Sequence, residues 1–170
     1  MKSVLAVLAT VLFTLGFVCF ANAAELEYTT QQALVVAIDS GNRVIVRFGS
    51  EFRPANLKGV MASWKGAGGE CFAEDSRQYL VKEILGKTVI VDWDSGDKVD
   101  KNGNLLVYLS YAGVDINAAV LEKGHGWVPK MFPADRKEAY LAIAKKAWEA
   151  GLGLWKSCDG QEFLKPHIPK

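Results

Sequence analysis

The chain has 170 residues, 50% of them hydrophobic, with 20 Lys and Arg against 19 Asp and Glu. That length suits a single domain able to bury a real core. The near-neutral charge argues against a nonspecific nucleic-acid binder, which normally carries a basic excess.

The first 23 residues are expected to be removed. Lys2 supplies a short positive start, and residues 4–20 form an apolar run broken only by small residues, Thr and Gly. Ala21-Asn22-Ala23 then provides a small-x-small cleavage site, so a signal peptide cut before Ala24 is predicted. A retained anchor is the alternative, which the cleavage site opposes. Gly16-Phe17-Val18 ahead of Cys19 is a poor lipobox. Residues 1–23 hold Lys2 and no acid, so the mature chain would carry 19 basic and 19 acidic residues. With no further membrane segment, the product is expected to be exported, to a bacterial periplasm or beyond. Cys71 and Cys158 then remain, and in an oxidising compartment a lone pair most simply forms one disulfide. Two free thiols are the alternative. A zinc site lacks the spacing, because only His125 and His167 stand elsewhere.

In chain order, residues 33–38 and 43–48 are β-branched runs around Asp39-Ser40-Gly41-Asn42, whose Gly and Asn suit a hairpin turn. A third strand follows the breaker Pro54 over 55–61, and 63–69 is a glycine-rich loop. Residues 71–85 read as a helix with Phe72, Ser76, Tyr79, Leu80 and Ile84 on one side, ended by Gly86. Strands over 88–93 and 105–111 flank a polar loop. Asp115 can cap a short helix containing Ile116, Ala119 and Val120, closed by Gly124. The last helix starts near Pro133, carries Tyr140, Ile143, Ala144, Ala147 and Trp148 on one face, and ends at Gly151. This order fits an α+β fold: a five-stranded Greek-key barrel of OB type with about three helices. The single domain is expected to span 24–165, followed by a loose tail over 166–170.

The stretch Asn56-Leu57-Lys58-Gly59-Val60-Met61-Ala62-Ser63-Trp64 resembles the strand of the staphylococcal-nuclease (thermonuclease) family that carries its catalytic centre. That family writes Arg-Leu-x-Gly-Ile/Val-Asp-Thr-Pro-Glu there. Further pieces are similar in the same order. They are Gly69 to Ser76, Leu85 to Val89, Asp100 to Tyr108, Val114 to Gly124, and the Gly153-Leu154-Trp155 close. The resemblance covers about residues 33–155. It implies the OB fold and, in the family, calcium-assisted attack of water on a phosphodiester.

The frame of the motif survives in Leu57, Gly59 and Val60, while its chemistry is absent. Asn42 stands at a ligand aspartate of the Asp-Gly-Asp-Thr turn, and Met61, whose soft thioether does not bind calcium, stands at the second ligand. Trp64 stands at the general-base glutamate. Asn56 and Asn104 replace the phosphate-binding arginines, and a neutral amide cannot stabilise the charge that develops in the transition state. By this resemblance the protein is a catalytically degenerate, exported member with no cofactor, acting as a binding or interaction module. The competing reading is a calcium-dependent phosphodiesterase rearranged around Asp39, Glu70 or Arg53. By this register Lys58, Trp64, Lys65, Lys101 and Asn104 gather around the former active site. Such a basic-aromatic cluster could take a short single strand, or a protein or peptide, or be a solvated loop.

Overall fold

Alternation along the first three strands builds the inside of a barrel, and one irregularity sets its phase. The computed structural model describes residues 28–63, 71–131 and 133–158. The expected signal peptide, Trp64, Lys65, Glu70 and the tail over 166–170 therefore lie outside the described residues. In β1 (Gln31–Ser40), Ala33 and Val35 point inward, and then the buried set jumps to Ile38 and Ser40. The cause is the register against β2 (Arg43–Phe48): Val35 faces Val46 and Ala37 faces Ile45, so Val36 is the extra residue of a bulge. A second slip skips Asp39, which is exposed. In β2, Val44 and Val46 are fully buried.

β3 (Glu51–Leu57) pairs antiparallel with β2 from Glu51 to Asn56. β4 (Thr88–Asp92) pairs antiparallel with β1, and β5 (Leu105–Tyr111) pairs antiparallel with β4. The sheet closes where Ala55, Asn56 and Leu57 run parallel to Leu105, Leu106 and Val107. This is the expected five-stranded barrel, with a two-residue sixth strand, β6 (Val114–Asp115), beside β5. Leu105 to Leu109 are all buried, because the barrel lies on one face of β5 and helices cover the other.

Among the described residues, four helices flank the barrel: α1 (Ala73–Ile84), α2 (Ile116–Glu122), α3 (Lys137–Glu149) and the short α4 (Leu154–Ser157), the last not anticipated in the sequence. On α1, Ser76, Leu80 and Ile84 are buried as expected, while Phe72 and Tyr79 are half-buried and stack on either side of His125. No side chain caps α1, and Phe72 holds the left-handed φ of 64° at its start. The Cys71–Cys158 disulfide, with Cα atoms 5.9 Å apart, fixes the residue just before it. α2 begins as expected, with Asp115 accepting the Ala118 N–H at 3.0 Å. The same carboxylate accepts from Tyr140 Oη at 2.9 Å and Arg136 Nη1 at 3.1 Å, which ties α3 to the barrel.

Lys58 departs from expectation. The family register puts it on the binding face, yet its side chain is 2% exposed and ion-paired with the equally buried Asp94. Its ammonium also donates to the Asp97 carbonyl at 2.7 Å. Strand alternation fails there because β3 ends at Leu57 and the chain turns, with Val60 N–H donating to the Leu57 carbonyl. Asp94 is satisfied further by Tyr108 Oη and the N–H groups of Gly96 and Asp135. Burial pushes its carboxyl up, but the Lys58 bond and charge and the two N–H groups outweigh this, so it lies below the ordinary range.

Candidate functional site

The positions that resemble the family's catalytic centre converge where β2 begins, β3 ends and the loop before β5 folds back. Arg43 faces Asn56 across the β2–β3 ladder, and Asn56 lies opposite Leu106 in β5. Glycine is required at two points here. A Cβ on Gly41, in the β1–β2 turn, would overlap the Ser76 Cβ of α1 and lie 2.8 Å from the Ala62 Cβ. Gly59 holds a φ of +78°, and a Cβ there would meet the Tyr140 ring at 3.0 Å. The motif's glycines thus serve close packing, independent of any reaction.

Asp100 is the organising group. It opens the turn before β5, and its Oδ1 accepts the N–H groups of Asn102 at 2.8 Å and Asn104 at 2.9 Å. Its Oδ2 accepts the side-chain amides of Asn56 at 3.0 Å and Asn104 at 2.8 Å. Burial alone would raise this carboxyl. The Asn104 side chain, the two backbone N–H groups and the nearby Arg43 charge prevail and hold it below the usual carboxylate range. The two residues at the arginine positions therefore both turn onto one carboxylate oxygen. Asn104 is 8% exposed, and its Oδ1 accepts Arg43 Nη2 at 3.4 Å.

Arg43 in turn lies 3.4 Å from Asp39, with both side chains about half exposed. Asp39 is thus committed to an ion pair, and Arg53 pairs with Glu51 at 3.1 Å. Neither Asp39 nor Arg53 bonds to Asp100, whose partners are Asn56, Asn102 and Asn104. At the expected metal position, Asn42 donates to the Val60 carbonyl at 3.1 Å and lies 3.9 Å from Met61 Sδ, while its Oδ1 accepts from Ser40 Oγ at 3.1 Å. Met61 is held in place by two backbone hydrogen bonds with Trp127, both 2.8 Å. The donor set is one committed amide and one thioether, which does not fit a hard cation. Among the described residues, no group of three His, Cys, Asp or Glu could hold a metal ion.

Asn42, Asn56, Leu57, Gly59, Val60, Met61, Asp100, Leu106 and Pro129 line one cleft of about 310 Å³. The structure so brings together Asn42, Asn56 and Met61, with Asn104 just behind them. Lys101 is exposed in the turn over 100–104, and Lys58 is withdrawn into the interior. A larger groove of about 410 Å³ between α2 and α3 shares no residue with this cleft, and its lining is mostly aliphatic. Glu122 and Lys146 are the charged residues among its lining, and none of the positions that resemble the family's catalytic centre lies there. Sequence reasoning missed Asp100 and Arg43 as site residues. A usable signal was present: Asp-Lys-Asn-Gly is a turn signature, and an Asp opening that turn reaches the residue that closes it, Asn104.

Comparison with known proteins agrees with this geometry. A family model described as staphylococcal nuclease homologue matches residues 54–157. An uncharacterized protein from Bacillus anthracis is 33% identical over 79 residues, which is 45% of this chain and 37% of that relative's length.

Proposed function

The chain belongs to the staphylococcal nuclease homologue family, and from that premise we propose that it is a non-catalytic, exported member. It acts as a binding module through the cleft at its former catalytic face. One observation carries this reading: Asn56 and Asn104, at the arginine positions, both donate to a single oxygen of Asp100. A phosphodiester approaching this face meets a carboxylate where the family presents cations. Losing one group that stabilises transition-state charge typically costs about 10²–10³ in rate. The losses do not multiply, because such groups act together. Here the base, both arginines and the second metal ligand are absent at once.

Export rests on the signal-like residues 1–23 and is consistent with the disulfide between Cys71 and Cys158. Among the described residues, no helix is long and apolar enough to cross a membrane. The domain then runs over 24–165. The rearranged phosphodiesterase is the weaker reading, since Asp39 and Arg53 are each engaged with another partner.

The test is hydrolysis of single- and double-stranded DNA and of RNA, with calcium, magnesium or manganese, by the purified mature chain. Background rates are expected throughout. Metal-dependent turnover that is abolished by Asp39→Ala or Glu70→Ala would overturn the proposal.

A further inference from the structure

We propose that the cleft receives an uncharged, extended peptide segment, seating one bulky aliphatic side chain on its floor while Asn56 hydrogen-bonds the segment's main chain. This inference rests on the non-catalytic reading above and supplies its ligand.

Charge is the first argument. Each oxygen of Asp100 already accepts two hydrogen bonds, and Arg43 is shared between Asp39 and Asn104. None of the described residues that line the cleft offers an open counter-charge, so a charged group seated there would lose hydration at a cost. Phosphates, free carboxylates and ammonium groups are therefore poor occupants.

The lining supplies the second argument. The floor is aliphatic, made by Leu57, Val60, Leu106 and Pro129, with the Met61 thioether as an adaptable wall that is 43% exposed. The described lining residues are aliphatic or amide side chains, apart from the Asp100 carboxylate and the Met61 thioether. The volume of about 310 Å³ lies at the bottom of the range for small-molecule sites, roughly 300–1,000 Å³. That is room for one large side chain and the amides beside it.

Hydrogen-bond capacity at the rim is the third. Asn56 commits one N–H to Asp100, which leaves its other N–H and its carbonyl oxygen to face a ligand. A group that donates and accepts side by side is the complement of a peptide unit. Asn42 offers less, since both its Nδ2 and its Oδ1 already have partners.

The experiment uses the disulfide-bonded chain, labelled with nitrogen-15, titrated separately with N-acetyl-leucine methylamide, free leucine and thymidine monophosphate. The capped leucine should shift the side-chain amides of Asn42 and Asn56 and the backbone of Leu57, Val60 and Met61, saturating in the millimolar range expected of so small a ligand. Free leucine and the nucleotide should leave these signals in place. Asn56→Leu, which keeps the volume and removes the amide, should weaken the capped leucine roughly five- to tenfold. Met61→Ala removes wall contacts without touching the Asp100 bonds and should also weaken it, so the proposal stays testable if Asn56→Leu fails to fold.

Equal binding of free leucine, preferential binding of the nucleotide, shifts confined to other surfaces, or no saturable shift by about 50 mM would each overturn the proposal. Absence of peptide binding together with absence of hydrolysis would remove only this inference. Metal-dependent hydrolysis would remove the reading beneath it.

Discussion

Replacing Asp100 by Ala tests whether this carboxylate organises the cleft. The change removes four hydrogen bonds at once: two from side-chain amides at 3.0 and 2.8 Å, and two from backbone N–H groups at 2.8 and 2.9 Å. Bonds to charged groups contribute about 1.5–3 kcal/mol each. They are not additive at one residue, and solvent can reach the half-buried Asn56 and the turn. Asn104 cannot be rehydrated so easily, being 8% exposed. A net loss of about 2–3 kcal/mol follows, which lowers Tm by roughly 8–12 °C in a domain of this size. Thermal unfolding at pH 7, followed by circular dichroism, measures it.

The pH dependence supplies a second readout. Asp100 is held below its unfolded value, near 3.9 for a free Asp, so its contribution is fully present above that value and is lost as pH falls through the folded one. The gap between parent and Asp100→Ala should therefore close in acid. A loss under about 0.5 kcal/mol at pH 7, the size of an ordinary surface change, would refute the reasoning.

Asn42→Asp combined with Met61→Asp places two carboxylates side by side, since the parent side chains lie 3.9 Å apart. Calorimetric titration should find calcium binding in this double variant that the parent lacks, and nuclease assays should still find no cleavage; no gain in affinity would mean that the register of these strands with the family is wrong. Intact-mass measurement should show two hydrogens gained on reduction of Cys71–Cys158. Cys71→Ser with Cys158→Ser should lose up to about 4–5 kcal/mol in chemical denaturation, the chain-entropy ceiling for a separation of 87 residues. Burial between Phe72 and Tyr79 lowers the His125 pKa, with Asp75 opposing weakly. The unfolded chain then binds more protons below about pH 6.5, so stability should decline as pH drops from there and level off below the folded value. His125→Phe should remove that part of the pH profile.

Strand order and helix faces were open to reading because they depend on local periodicity: Val44 and Val46, or Leu80 and Ile84, announce their burial by spacing alone. The bulge at Val36 was not, because it exists only in the pairing of β1 with β2. Lys58 illustrates a second kind of blindness. Its partner Asp94 lies 36 residues away, so a register taken from the family's motif had no means of showing that the side chain turns inward after Leu57. Within the site, the departures of Asn42, Asn56, Met61 and Asn104 from the family's motif were visible by comparison. What those residues do instead was hidden, since Asn56 meets Asp100 only once β3 and the turn before β5 are side by side. Asn117 is similar: fully buried, it accepts Leu109 N–H and donates to the carbonyls of Lys58 and Val107, all at 3.0 Å.

The parallel seam between β3 and β5 has a kinetic consequence. Ala55 pairs with Leu105, 50 residues later, so the meander of the first three strands waits with an open edge until the second half of the chain arrives. Contacts so distant in sequence form late, and the interval exposes β3 to pairing with another molecule. Pro54 sits on that waiting strand, immediately before the residues that will make the seam, and brings no N–H to offer a stranger. The residue that makes β3 a poor partner for other chains leaves Ala55, Asn56 and Leu57 free to take their own, so a proline inside a strand works here as a guard on the folding route.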